Sequence, residues 1–336
     1  MRYGLPLIPV LLSLLSCSTA AGAEAKLPAL GANAAKVSVS GLSSGAFMAV
    51  QYDVAFSAST IGAGIVAGGP YNCAYVNAGG ILTCMQGLPI GALSLTAADG
   101  FAALGQIDPV GNIAKQKIYL FSGTKDTVVK QSAMNAVRDF YVAAKVPSKN
   151  LQYVNTMPAG HAFLSTTPEN PCAVSQAPFV NTCQTSGKAY DQPAAILTKI
   201  YGPLKPKAAK LSSQPIAFDQ SEFASALTSM APTGYAYIPA ACKKGAPSCA
   251  VHVVFHGCQQ SAATVGDAVY AKTGYNAWAD TNRIILLYPQ VNASQTLPAN
   301  PMGCWDWWGY SGLNFQTQSG PQLSAIKAMV ARVTGS

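Results

Sequence analysis

Val37-Ser38-Val39-Ser40-Gly41-Leu42-Ser43-Ser44-Gly45-Ala46 is the stretch whose reading decides the fold class. Residues 36–40 alternate polar and apolar side chains, the period of a strand. Residues 46–56 carry Phe47, Met48, Val50, Tyr52 and Val54, the apolar surface of a helix. Between the two lies Gly41-Leu42-Ser43-Ser44-Gly45, a Gly-x-Ser-x-Gly turn. A strand that reverses into a helix within so few residues leaves no room for side chains beside the serine, and it forces the serine itself into a strained backbone. Read alone, those five residues also suit a Gly-Ser surface turn. Their place between a strand and a helix favours a nucleophile elbow, with Ser43 as the nucleophile.

The flanking sequence repeats the strand–helix alternation. Strands are predicted over 61–67, 117–121, 151–155, 251–255 and 283–288, and helices over 132–145 and 322–333. Several of these strands are apolar on both faces. The pattern predicts an α/β fold with a mainly parallel sheet covered by helices on both sides. Residues 203–215 are rich in Lys, Pro, Ala and Ser, show no periodicity, and read as a linker near the middle of the chain.

A serine at its ordinary pKa needs a base, and the chain has three histidines. His252 falls inside a predicted strand. His256 opens His256-Gly257-Cys258 directly after it. His161 lies on a loop beyond the 151–155 strand, where open parallel sheets place their reactive groups, and is the best base. Asp126, on the loop after the 117–121 strand, is the best carboxylate to orient it; an Asx turn or helix cap is its alternative role. The order Ser43, Asp126, His161 is that of the α/β-hydrolases. Ser44 would supply one oxyanion-hole N–H. The second normally comes from a His-Gly-type loop ahead of the nucleophile, yet His256-Gly257-Cys258-Gln259 follows it by more than 200 residues. A circular permutation reconciles the two, with 203–215 as the joint within one domain. In Cys304-Trp305-Asp306-Trp307-Trp308, Trp305 is the expected substrate contact and Trp307 and Trp308 are expected to fill core. Tyr71, after Gly68-Gly69-Pro70, is a second candidate wall.

Composition narrows the class. Half of the 336 residues are hydrophobic and 10% are charged, which excludes a disordered chain. The net charge of +8 reflects a shortage of acids, and its lysines form no dense stripe, so nucleic acid is not an expected partner. Arg2 and the apolar run 5–15 read as a signal peptide cleaved near Ala23; a lipoprotein box ending at Cys17 is the competing reading. No later run is long enough to insert stably in a membrane. Cleavage leaves eight cysteines, an even number that suits an exported, disulfide-bonded protein. Proximity pairs Cys73 with Cys84, Cys172 with Cys183 and Cys242 with Cys249, leaving Cys258 with Cys304. No spacing suits a zinc site, and neither metal nor cofactor is expected.

The run 37–45, Ala67-Gly68-Gly69-Pro70-Tyr71, His256-Gly257-Cys258, Thr273-Gly274-Tyr275-Asn276, Trp278-Ala279-Asp280 and Gly303-Cys304-Trp305-Asp306-Trp307 together resemble the secreted short-chain poly(3-hydroxybutyrate) depolymerases of the single-domain, fungal type. The resemblance spans nearly the whole chain after the leader. It implies a circularly permuted α/β-hydrolase fold. It also implies Ser43, Asp126 and His161 as a triad, the Ser44 and Cys258 amides as the oxyanion hole, and Trp305 lining a polymer crevice. Many relatives add a linker and a substrate-binding domain after the catalytic one. Here residues 24–336 are expected to form one catalytic domain, acting as a monomer, that grips polyester by its own surface. Two rival classes are a secreted esterase of acetyl or feruloyl esters and a noncatalytic binding module on the same scaffold.

Overall fold

The computed structural model describes residue 1 and residues 25–336, apart from 168 and 244. Apart from Met1, the leader assigned to residues 1–23 lies outside the described residues, as does Cys17. Eight strands form the central sheet: β1 (Val37–Leu42), β2 (Thr60–Val66), β3 (Lys117–Phe121), β4 (Leu151–Val154), β5 (Ile216–Asp219), β6 (Thr233–Tyr237), β7 (Ala250–Phe255) and β8 (Ile284–Tyr288). Their spatial order is β5-β6-β8-β7-β1-β2-β3-β4. All neighbours are parallel except β5 with β6 and β6 with β8.

The two halves of the chain meet inside this sheet. Strand β7 runs parallel to β1, with Val37 opposite Val251 and Gly41 opposite Phe255. Counted from Ile216 and continued at Val37, the spatial order reads 1-2-4-3-5-6-7-8. In that count the loop His256-Gly257-Cys258 follows the third strand, where an α/β-hydrolase carries its oxyanion loop. The permutation expected from the motif order is therefore what the sheet displays. Residues 203–215 cross between the halves against the helix Tyr275–Asn282. There the Lys205 N–H donates to Asn282 Oδ1 at 2.8 Å, the Ala208 N–H to Ala277 O at 2.9 Å, and the Ser212 N–H to Asp280 Oδ2 at 3.0 Å.

Strand alternation divides the core between the two faces of the sheet. Val37 and Val39, Ile118 and Leu120, and Ile285 and Leu287 pack on one side with α1 (Ser44–Ala55) and the helices Gln131–Ala143 and Pro321–Thr334. Tyr119, Phe121, Leu286 and Tyr288 pack on the other with the helices Gln192–Tyr201 and Tyr275–Asn282. Every residue of α1 is buried, so the helix that Ser43 caps is held on all sides.

All four cysteine pairs expected from spacing are formed: Cys73–Cys84, Cys172–Cys183, Cys242–Cys249 and Cys258–Cys304. No helix among the described residues is long and apolar enough to cross a membrane.

Candidate active site

The turn from β1 to α1 has the strain that its sequence requires. Ser43 sits at φ 57°, ψ −124°, a left-handed backbone that a side chain tolerates only under tight constraint. The two flanking glycines supply that constraint. A Cβ on Gly41 would stand 2.2 Å from Gly45 O, and one on Gly45 would stand 2.3 Å from His256 O and 2.5 Å from Phe255 O. Any larger residue at position 45 would push the elbow away from the end of β7. The second glycine thus sets both the sharpness of the turn and the closeness of the His256-Gly257-Cys258 loop.

Asp126 and His161 meet because the loops after β3 and β4 are cross-linked by backbone bonds. The Thr124 N–H donates to Met157 O at 2.8 Å and the Lys125 N–H to Ala159 O at 3.1 Å. His161 Nδ1 lies 2.8 Å from Asp126 Oδ2. The other carboxylate oxygen, Oδ1, accepts from the Val128 and Val129 N–H groups at 2.8 and 2.9 Å. Asp126 therefore closes an Asx-type turn with one oxygen while the other faces the imidazole. The His161 N–H donates to Ser175 Oγ at 2.8 Å, and the Gly160 N–H to Cys172 O at 2.9 Å. The disulfide loop 172–183 thereby braces the histidine. Ser43, Asp126 and His161 are all nearly buried, and Ser43 and His161 line one cavity.

Two cavities meet at Ser43. One, of about 270 Å³, is walled by Phe47, Ile81, Val129, Trp307 and Trp308. The other, of about 280 Å³, is walled by Val128, His161, Ser175, Phe179 and Gly257. Ser43, Met85, Cys258 and Met302 border both. Ser44 is the first residue of α1, so its N–H is one of the orphan donors of a helix start. On the facing loop, the Gly257 N–H donates to Gln260 Oε1 and the Gln259 N–H to Met302 O, each at 2.7 Å. The Cys258 N–H between them has no acceptor among the described residues. Ser44 and Cys258 both border the first cavity beside Ser43.

The aromatic assignments are corrected by the structure. Trp305 is fully buried, with its ring 5.1 Å from that of Phe255 and 5.5 Å from that of His256, and it borders neither cavity. Trp307 is buried in a small core cluster with Phe47, Cys73 and Cys84, as expected, and it also borders the first cavity, stacked on Phe47 at 4.0 Å; Trp308, packed against that cluster, borders the cavity too. The carboxylate of Asp306 accepts from the N–H groups of Trp308, Gly309, Tyr310 and Ser311, which winds the chain after Trp307 into a tight loop. Tyr71 is also not a cavity wall. It is buried, its hydroxyl donates to Gln316 O at 2.9 Å, and its ring packs edge-on against Phe101. The residues missed from sequence, Met85, Ser175, Phe179 and Met302, come from loops and short elements without periodicity. Met85 follows Cys84 and Met302 stands two residues before Cys304, and that adjacency to cysteine is the signal the sequence offers for them.

No protein-family model matches the chain. It is 44% identical over 324 residues to a poly(3-hydroxybutyrate) depolymerase of Delftia acidovorans, covering 93% of this chain and 62% of that protein's length. It is 38% identical over 335 residues to a polyhydroxybutyrate depolymerase of Talaromyces funiculosus, covering 95% of this chain and 96% of that protein. Among solved structures it is similar to the PHB depolymerase of Penicillium funiculosum, with a TM-score of 0.85 and 37% identity over 92% of this chain and 99% of the other. It is equally similar to a serine-to-alanine variant of PHB depolymerase complexed with an R3HB trimer, with a TM-score of 0.86 and 36% identity over the same shares.

Proposed function

The chain belongs to the poly(3-hydroxybutyrate) depolymerase family, and from that premise we propose that it is an exported serine esterase that cleaves poly(3-hydroxybutyrate) to oligomers and monomer. The observation that carries this reading is the seat of Ser43 where two apolar cavities meet. An extended polyester chain can lie through both, with one ester at the nucleophile and apolar repeat units on either side. A small-ester pocket would need only one of them. The segment that supplies Ile81 and Met85 also exposes Leu82, Leu88 and Ile90, an apolar rim suited to a water-insoluble substrate.

In this mechanism His161 Nε2 takes the proton of Ser43 Oγ as the oxygen attacks the ester carbonyl. Asp126 holds the Nδ1 proton and steadies the imidazolium. The Ser44 and Cys258 amides receive the oxyanion, each donor contributing ~3 kcal/mol to barrier lowering. The tetrahedral species collapses to an acyl-serine as His161 hands its proton to the departing hydroxyl end of the polymer. Water, deprotonated by the same imidazole, then releases the hydroxyacid. The two halves of the sheet act as one catalytic domain with 203–215 as its joint. The four disulfides suit a chain exported to an oxidising compartment.

Product analysis tests the reading. Poly(3-hydroxybutyrate) particles, a feruloyl ester and an acetylated sugar are offered to the enzyme in parallel, and soluble products are separated by chromatography. Release of 3-hydroxybutyrate and its short oligomers, with slow turnover of the other two, is expected. Rapid deacetylation or feruloyl release with intact polymer would assign the enzyme to the small-ester class.

A further inference from the structure

We infer that His256 is a positioning residue for catalysis: its side chain locks the Gly257–Cys258 peptide so that the Cys258 N–H faces the nucleophile. The inference rests on the proposed esterase reading and concerns a residue that touches no substrate.

One peptide plane joins the two groups. Gly257 C=O and Cys258 N–H belong to the same amide and point in opposite directions. Whatever fixes the carbonyl therefore aims the N–H. His256 Nδ1 lies 2.7 Å from Gly257 O. The tautomer follows from the other ring nitrogen. Val291 presents its backbone N–H to Nε2 at 3.0 Å, so Nε2 must be the acceptor. A neutral imidazole then carries its proton on Nδ1 and donates it to Gly257 O. The ring is fully buried, with Trp305 against it, and burial pushes its pKa down to about 4, so it stays neutral in the working range.

The rest of the loop is braced to match. The preceding amide is held through the Gly257 N–H on Gln260 Oε1. The Gln260 amide group donates in turn to Pro178 O and Phe179 O at 2.9 and 3.1 Å, fastening the loop to the wall that carries Phe179. His256 O itself packs against the Cα of Gly45 at the elbow. Rotation of the Gly257–Cys258 plane would remove the hydrogen bond to His256 and turn a carbonyl oxygen toward the developing oxyanion. A flexible glycine at position 257 makes such rotation easy unless the carbonyl is held.

Two substitutions separate the two ring nitrogens. His256→Asn keeps a donor near the position of Nδ1 and loses the acceptor for Val291. His256→Gln keeps an acceptor near Nε2 and loses the donor to Gly257. Both are measured with p-nitrophenyl butyrate, with active sites counted by a phosphonate that labels Ser43. His256→Gln should lower kcat per active site by 10²- to 10³-fold, the cost of one lost oxyanion donor, with KM changed less than 3-fold. His256→Asn should recover at least ten-fold of that loss. Gln260→Ala, a milder change at the brace, should lower kcat about ten-fold and serves if the histidine variants fail to fold. Equal kcat losses in the two histidine variants would overturn the inference. So would unchanged kcat in Gln260→Ala, or a loss seen only in the count of active sites. Activity of the parent enzyme that vanishes in Ser43→Ala upholds the esterase reading whichever way the His256 result falls.

Discussion

Asp126→Asn should reduce kcat/KM on a soluble p-nitrophenyl ester by about 10⁴-fold, roughly 5.5 kcal/mol of transition-state stabilisation. The size follows from the hydrogen bonds that surround the carboxylate. Oδ1 accepts from two backbone N–H groups, those of Val128 and Val129, and Oδ2 faces His161 Nδ1 at 2.8 Å. Asparagine has one oxygen, and the two N–H groups claim it. Its NH₂ is then forced to face His161 and can only donate. Nδ1 must become the acceptor, the imidazole proton moves to Nε2, and the nitrogen that should deprotonate Ser43 is blocked. The alternative amide orientation would set NH₂ against two N–H groups and is unfavourable. The fold should survive, because the turn keeps its acceptor; weaker bonds to a neutral oxygen cost about 1–3 kcal/mol of stability. Initial rates are divided by the active-site count from phosphonate labelling, beside a melting curve. A variant within ten-fold of the parent would refute the assignment of Asp126, and an equal loss on replacing another carboxylate would transfer the role.

Trp305→Ala should destabilise the fold by about 3–5 kcal/mol, whereas Trp307→Ala should lower polymer hydrolysis with a smaller shift in melting temperature; melting and polymer-cleavage rates on both variants decide, and the opposite ranking would restore Trp305 to the crevice. Asp53 is buried on α1 with Tyr141 donating to Oδ2 at 2.9 Å, and burial pushes its pKa up to about 8 from 3.8. Between those values the folded state holds a proton that the unfolded chain has lost, so stability falls as pH rises through that window. The melting temperature of Asp53→Asn minus that of the parent should therefore grow from pH 4 to pH 8, and a constant difference would contradict a protonated Asp53. The Cys258–Cys304 bond closes a separation of 46 residues against 11 or fewer for the others, about 4 kcal/mol against about 2.5 in the chain-entropy model. Replacing that pair by serines should cost the most stability and also kcat, since the Cys258 amide is the proposed second oxyanion donor; retained kcat would detach the disulfide from the oxyanion loop.

The parts legible in the sequence are those set by local sterics. Gly41 and Gly45 are required by close backbone approach, and Asp126 and His161 each follow a strand that reads clearly. The permutation was legible from motif order, because His256-Gly257 must stand beside Ser43 whatever its place in the chain. The burial of Trp305 is not legible, because adjacency to Cys304 says nothing of the direction its ring takes in the folded loop. Tyr71 follows a Gly-Gly-Pro turn that looks exposed, yet its hydroxyl finds Gln316 from the far end of the chain. The helix Gly91–Ala103 buries only the small residues Gly91, Ser94 and Ala98, a face that leaves no apolar stripe in the sequence. Strand β5 is short, lies at the sheet edge and is largely exposed, so burial imposes little pattern on it.

The most direct test of the central claim is the clearing of a poly(3-hydroxybutyrate) suspension, amorphous beside crystalline, by the enzyme and by Ser43→Ala. The account predicts falling turbidity with release of 3-hydroxybutyrate oligomers for the parent and none for Ser43→Ala at equal folding. Unchanged turbidity with the parent on both suspensions, or clearing by Ser43→Ala, would contradict it.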